Sequence, residues 1–431
     1  MKALLAKWDD IHADLEANIT RIWGRRRFHQ IMDVAAHSVL GFSFQGHLVT
    51  RGWVEALIAG DTKCGKSETA EKMMSYWGLS KPLNCETASL PGIIGALKEV
   101  GGKWSIQWGA LPRMDGRLAV LDEVTGLTTE QISSMSGMRS SGIAQLLKVE
   151  AEKAKARVRK VWLANPRTNR NRSVSTYAYG VQVIPDIIGR AEDISRFDVA
   201  LVASADEVPV ELLNAEKRPQ VPHRYTQEAA QALIHWVWSR KPEQVLWHPG
   251  TEKAVLAVAS RQSKRYNSTI PLVEPGEQRF RVARIAVSLA ARFHNTDSTG
   301  ELVIVDYPHV ELAEVFMNGC FDSPSTAYGA FSSSRDKTDR SSLDPKELEE
   351  LLDKLTVHKD LDVALDALIV ADDISRLAML DYGKQSALLG DLARCGLLES
   401  GEGGMFHKTR KFIEFYRAAR DKVHAHEKEG F

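Results

Sequence analysis

The sequence predicts an α/β fold built on a parallel sheet, and three observations carry that prediction. Between residues 54 and 203, short apolar runs alternate with longer amphipathic ones. "VEALIA", "RLAVLD", "KVWLAN" and "VALVAS" are each brief, partly β-branched and bounded by Gly, Asp, Asn or Pro. This is the pattern of parallel strands joined by crossover helices. The first run leads into Gly60-Asp61-Thr62-Lys63-Cys64-Gly65-Lys66-Ser67, which spells G-x-x-x-x-G-K-[ST], and a helix-like segment follows. The second run ends in Asp122-Glu123 and the third in Asn165, so polar side chains gather where the apolar runs stop.

The elements fall in order along the chain. Residues 1–48 read as a helical segment, with Arg25-Arg26-Arg27 between two runs of helical spacing. Residues 49–210 form the α/β core. Residues 211–325 read as mostly helical, as in "RYTQEAAQALIHWVWSR" and "RFRVARIAVSLAARF". "YGAFSSSRDKTDRSSLDP" then loses its apolar residues, and 326–345 reads as a linker. Residues 346–431 read as a further folded unit. His29 and His37 are expected as surface or interface histidines, and Trp236, Trp238 and Trp247 as packing of the helical region.

Bulk composition sets limits. At 431 residues, with 44% hydrophobic and 26% charged, the chain is an ordinary globular one of several domains. A formal net charge of zero excludes a global basic field, so any nucleic-acid contact must come from local patches. The four cysteines, Cys64, Cys85, Cys320 and Cys395, form no C-x-x-C pair and fit no zinc spacing. Free thiols suit a reducing cytosol. "MKALLAKWDDIHADLEANITRIW" carries acids where a signal peptide would have its apolar core. No window approaches the ~18 apolar residues of a membrane span. The expectation is a cytoplasmic protein without a membrane partner.

The loop from Gly60 to Ser67 has the chemistry of a phosphate site. Its glycines let the backbone curl until N–H groups face an anion, and the loop opens on a helix amino terminus that favours negative charge. Lys66 is placed to reach the β- and γ-phosphates, and the Ser67 hydroxyl to bind magnesium. A Gly-rich turn alone would not explain why Lys and Ser both follow the second Gly. If the next apolar run pairs beside the first, Asp122 lies near Ser67 and orients the metal, and Glu123 polarises a water for attack on the γ-phosphate. Asp-Glu about fifty-five residues after such a loop points to hydrolysis of ATP with Mg2+ rather than binding alone. Asn165 is expected between the acids and the γ-phosphate, although an Asn before Pro166 is also a common loop feature.

"GDTKCGKS", "GALPRMDGRLAVLDEV", "WLANP" and "SRFD" occur in that order. Together they resemble the AAA+ module of the minichromosome-maintenance (MCM) family of replicative helicases, over roughly residues 20–320. The resemblance implies an AAA+ P-loop core with a helical lid. It makes Lys66 and Ser67 the Walker A residues, Asp122 and Glu123 the Walker B pair, and Asn165 sensor 1. Arg196 becomes an arginine finger given in trans to a neighbour's ATP, with Arg190 as a rival. Arg281, with Arg279 as its alternative, becomes sensor 2. It implies a helix-2 insert at "ETASLPGIIGALKEV" and a DNA-contacting hairpin at "LLKVEAEKAKARVRK", with Lys148 nearest the tip. Cys64-Gly65 stands where the family usually has Thr-Ala, and "DIIGRAEDI" lengthens the approach to "SRFD". Fewer than sixty residues precede the P-loop, so the expected form is compact, like MCM-like ATPases of phages, plasmids and integrated elements.

From Lys153 to Arg172 there are eight Lys or Arg and no acid. Such a run suits tracking of phosphates, with Lys153, Lys155 and Arg157 as DNA contacts, although a solvated basic hairpin would look the same. The carboxy-terminal unit resembles a winged helix-turn-helix. "CGLLESGEGGMFHKT" reads as the wing, Lys384 and Gln385 as the start of a recognition helix, and Lys408 as flanking the wing. The expectation is therefore an ATP-dependent DNA helicase or translocase acting as a homo-oligomeric, hexameric ring on single-stranded or forked DNA, served by a loader or initiator protein. Two alternatives stay open: a translocase that never separates strands, and an ATP-gated origin-binding initiator.

Overall fold

A computed structural model describes the chain except for residues 101–102, 148–150, 168–172, 267–268, 341–344, 356–390, 393–394, 401–405, 410, 413–414, 417–418 and 420–431. The chain divides into two units, Met1–Ser332 and Ser333–Phe431.

The centre of the first unit is a five-stranded, wholly parallel sheet: β1 Glu55–Gly60, β2 Leu83–Asn84, β3 Leu118–Asp122, β4 Arg159–Ala164 and β5 Val199–Ala203, in the spatial order β5-β1-β4-β3-β2. Every residue of β1, β4 and β5 is buried. Burial on both faces explains why these strands read as continuous apolar runs rather than alternating ones. Because all five strands run the same way, the residues that follow them come out at one edge of the sheet. In open α/β sheets that edge is where ligands bind.

Around the sheet pack α1 Lys2–Asp14, α2 Arg26–Ala36, α3 Lys66–Tyr76, α4 Gln227–Trp238, α5 Thr251–Arg265, α6 Gln278–Arg292 and α7 Tyr307–Phe321. The amino-terminal segment is not wholly helical. α1 runs into a π-helical turn at Leu15–Thr20, and after α2 the chain forms an antiparallel hairpin, Phe42–Phe44 with His47–Val49. His29, in α2, and His37, at its C-cap, are buried rather than exposed. Thr20 Oγ1 lies 2.7 Å from His29 Nε2, and His37 pairs with the buried Asp33 at 3.1 Å. Helical spacing places His29 on α2 and His37 at its end, but it cannot show that α1 and α6 pack against that helix.

The region 211–325 is mostly helical as expected. It also carries a short parallel ladder, Val245–Trp247 with Val303–Val305. It belongs to the same compact unit as the sheet, with α6 packed on α2, α5 and α7. Two tryptophans peg it to the amino-terminal segment, and a third ties the region to itself. The indole N–H groups of Trp236, Trp238 and Trp247 donate to the carbonyls of Gly300, Ala36 and Ser43 at 2.7, 2.8 and 2.7 Å.

The expected linker is instead largely a helix, Tyr328–Arg340. Its start is anchored by Tyr328, fully buried, whose hydroxyl donates to Ile270 O at 2.7 Å and Tyr266 O at 3.1 Å. Two aromatic anchors, Tyr328 and Phe331, suffice to dock its first turn, and the polar residues that follow hide it from a composition-based reading. In the second unit, helix Pro345–Leu355 and an antiparallel hairpin, Leu398–Ser400 with Phe406–Lys408, are described. The hairpin lies where the wing is expected. No helix among the described residues is long and apolar enough to cross a membrane.

Candidate nucleotide site

β1 ends at Gly60, and the loop turns into α3 through two left-handed residues, Lys63 at φ 64° and Gly65 at φ 88°. A Cβ at Gly60 would stand 2.4 Å from the Ala203 carbonyl oxygen, so close approach of β5 requires this glycine. Gly65 is the N-cap of α3, and no side chain caps the helix. The N–H groups of its first turn therefore present the positive end of the helix with no competing internal acceptor.

Five side chains meet beyond this turn. Lys66, buried, donates from Nζ to Gly60 O at 2.9 Å, Asp61 O at 2.8 Å and Asn165 Oδ1 at 2.8 Å. Asn165 Nδ2 donates to Glu123 Oε2 at 2.7 Å. Ser67 Oγ donates to Asp122 Oδ1 at 3.0 Å, and the same oxygen accepts from Glu123 N at 2.9 Å. Loop, β3 and β4 thus deliver an ammonium, an amide, two carboxylates and a hydroxyl to one place. One expectation is corrected. β3 does not lie beside β1; β4 is inserted between them. That insertion lets Asn165 bridge Lys66 to Glu123.

Glu123 holds two kinds of tension. Its backbone is left-handed, φ 52° and ψ 47°, which for a non-glycine costs on the order of 1–3 kcal/mol. Burial, and then the neighbouring Asp122 charge, push its carboxyl above the usual range, while Lys66 and Asn165 pull the other way. A raised carboxylate beside the Ser67–Asp122 pair suits a group that takes up a proton. A polar cavity of about 350 Å³ opens here, lined by Thr62, Glu86, Glu123, Thr125, Gly126, Asn165, Pro166 and Arg167. A larger groove of about 600 Å³, beside Trp8 and Trp23, contains no P-loop residue.

Asp61 has an anchoring role. Its carboxylate accepts from Val174 N at 2.8 Å, Ala205 N at 2.9 Å, Ser173 Oγ at 3.0 Å and Ser204 Oγ at 3.3 Å. Burial opposes ionisation, but these four donors outweigh it and hold the carboxyl below its ordinary value. Asp61 thereby ties the loop to the end of β5 and to the turn at 173. Ser173 and Ser204 were not legible in the sequence, since nothing local marks a serine that bonds an aspartate more than a hundred residues away.

Arg196 lies just before β5, at the sheet edge, and is partly exposed; its Nε is 3.8 Å from Asp193 Oδ1. Arg190 is exposed at the N-cap of the short helix Ala191–Ile194. Arg281 is buried, and donates to Leu272 O and to Ser195 O. Burial lowers its pKa to about 10. Arg279 is exposed, over the Phe280 ring.

The basic run from 153 to 172 divides sharply. Lys153 and Lys155 are exposed on an antiparallel hairpin, Ile143–Leu147 with Ala151–Lys155. Arg157 is half-buried and grips Asp115 through Nε at 3.1 Å and Nη2 at 2.7 Å. Arg159 and Lys160 are fully buried. Arg167 spends its donors on the carbonyls of Thr125, Leu127, Asp186 and Ile187. The absence of acids nearby in sequence was misleading, because the partners of these cations come from elsewhere in the fold. Lys148, Lys384 and Gln385 lie outside the described residues. Lys408 ends the second strand of the carboxy-terminal hairpin.

Comparison with protein-family models finds no match for this chain, and comparison with curated proteins finds none either.

Proposed function

We propose that the protein is a P-loop ATPase of the AAA+ type that acts on DNA as a homo-oligomeric ring, with strand separation for a mobile element as the leading activity. The observation that carries this reading is the bonded chain Lys66–Asn165–Glu123 beside the pair Ser67–Asp122. A structural ion-pair cluster would neutralise these charges more directly. This one instead holds a cation, a hydroxyl and two carboxylates apart in the order that phosphoryl transfer to water uses.

The residues present fit ATP and magnesium. The uncapped start of α3 and Lys66 would hold the phosphates, and Ser67 and Asp122 the metal, which when bound neutralises charge on the β- and γ-phosphates. Glu123 would orient a water and accept its proton, and Asn165 would keep Glu123 and Lys66 in register. Arg196, at the sheet edge, would serve a neighbour's site rather than its own. Two hairpins support a DNA-contacting role: Gly95–Val100 with Lys103–Trp108, and Ile143–Leu147 with Ala151–Lys155, which bears Lys153 and Lys155. They fall where the MCM resemblance implies an insert and a hairpin.

The test is steady-state ATP hydrolysis with and without single-stranded DNA, across protein concentrations that span assembly. Stimulation by DNA, rising cooperatively with protein, supports the ring motor; a strand-displacement assay then separates helicase from translocase. Turnover indifferent to both would favour an ATP-gated initiator.

A further inference from the structure

The segment Asp193–Asp198, which carries Arg196 into β5, is held residue by residue. Asp193 accepts from Arg139 Nη1 at 3.4 Å and from Ser133 Oγ at 2.5 Å. Arg281 donates to Ser195 O. Arg51 Nη2 donates to Arg196 O at 2.7 Å and to Asp198 Oδ2 at 3.3 Å. Arg284 pairs with Asp198 Oδ1, and its Nε reaches Arg51 O at 2.7 Å. The main chain joins in: Glu55 N donates to Asp198 Oδ2 at 2.8 Å, and Asp198 N to Glu55 O at 2.8 Å.

Asp193, Asp198, Arg139, Arg281 and Arg284 are all buried. The Arg196 side chain is different. It is 25% exposed, its Nε has no hydrogen-bond partner, and its only ion-pair contact among the described residues is the 3.8 Å approach to Asp193. The backbone is therefore fixed on both sides of a side chain that is left loose. Stability alone is a poor account of this. Buried ion pairs recover little more than their desolvation cost, and apolar packing of the same volume serves as well. Even with Glu55, which Arg139 meets at 2.7 Å, the cluster sets four guanidinium groups against three carboxylates and leaves positive charge in excess.

We propose that Arg51, acting with Arg281, Arg284 and Asp198, is a positioning device that sets the main chain under Arg196 so that its guanidinium reaches the γ-phosphate of a nucleoside triphosphate bound by the neighbouring subunit. The proposal rests on the trans-arginine reading above. Arg51 is the informative member, because it holds both Arg196 O and Asp198, and its side chain is 15% exposed, so substitution leaves no wholly buried gap.

The test uses the full chain with Arg51→Gln and Arg51→Lys, each alone and mixed with Lys66→Ala subunits. The readouts are kcat, KM and the Kd of a non-hydrolysable ATP analogue. Displacement of a catalytic group by about 1 Å costs on the order of 100-fold, so Arg51→Gln is expected to lose about 10–100-fold in kcat. The analogue Kd should stay within about threefold, since Arg51 touches no part of its own P-loop. Arg51→Lys, which keeps one donor, should lose less. Mixing with Lys66→Ala should restore turnover, because those subunits bring an intact clamp and Arg196. Unchanged kcat in Arg51→Gln while Arg196→Ala is inactive overturns the proposal. So does a loss that mixing fails to restore when it restores Arg196→Ala, since that would place Arg51's effect in its own subunit. A fully active Arg196→Ala would instead remove the trans-arginine reading, and the clamp proposal with it. If Arg51→Gln does not fold, Arg51→Lys carries the same outcomes.

Discussion

Replacing Asn165 by alanine removes one residue from the middle of the bonded chain Lys66–Asn165–Glu123 and leaves the other two in place. Its amide makes two contacts, both to groups that carry charge: Oδ1 accepts from Lys66 Nζ at 2.8 Å, and Nδ2 donates to Glu123 Oε2 at 2.7 Å. Lys66 keeps its bonds to Gly60 O and Asp61 O, so its place in the loop should survive. Glu123 has no such reserve. Loss of the Nδ2 donor removes one of the influences that lower its pKa, while burial and Asp122 continue to raise it. A hydrogen bond to a charged group is worth about 1.5–3 kcal/mol, and about 1.4 kcal/mol is tenfold in rate. If the Glu123 bond orients the base in the transition state, Asn165→Ala should lower kcat by roughly 10- to 150-fold. The pH profile should move too. A base must be ionised, so turnover falls as pH drops through the pKa of Glu123, and the acid limb of the variant should lie at higher pH than that of the parent. Steady-state ATPase from pH 5 to 9, with analogue binding measured in parallel, reads both effects. Turnover within threefold of the parent and an unmoved acid limb would refute the bridging role of Asn165.

Three further outcomes are expected. Lys66→Ala should abolish nucleotide binding or turnover, and Glu123→Gln should keep binding while losing hydrolysis; isothermal titration with a turnover assay distinguishes them, and unchanged turnover in either would dismantle the site assignment. Acid should destabilise the fold well before carboxylates titrate, because burial holds His29 near pKa 3 and His309 near 4, against 6.5 when free. The unfolded chain binds these protons below pH 6.5 and the native one does not, so stability is complete above about 6.5. At pH 5 each histidine has cost about 2 kcal/mol, which urea midpoints between pH 5 and 7.5 would register. Arg139→Met should destabilise by about 3–5 kcal/mol, since it leaves the buried Glu55, now bonded at 2.7 Å, with Arg51 and Lys160 only at 3.8 Å; equilibrium denaturation measures the loss.

Much of the core was legible because its signals are local. β1, β3, β4 and β5 are the four apolar runs read from the sequence, with ends within a residue or so of where pattern placed them. β2 escaped because Leu83–Asn84 is too short to show any period. The helix Tyr328–Arg340 escaped because two aromatic anchors in its first turn hold a segment that is otherwise polar. The ion pair of Arg157 escaped for a related reason: Asp115, its partner, lies forty-two residues earlier, where no scan of neighbouring charge would find it.

The sequence by itself determined the Gly-rich loop from Gly60 to Ser67, the polar residues at the ends of β3 and β4, and hence the edge of the sheet at which they gather. A turn, a helix start and a strand end each follow from a handful of consecutive residues. Only the tertiary structure decided the strand order that inserts β4 between β1 and β3 and so makes Asn165 a bridge. It alone showed which of the many arginines are spent inside the protein, and that Arg51, Arg281 and Arg284 converge beneath Arg196. Strand order and ion pairing across a hundred residues or more depend on which surfaces meet when the chain compacts, and no stretch of neighbouring residues encodes that meeting.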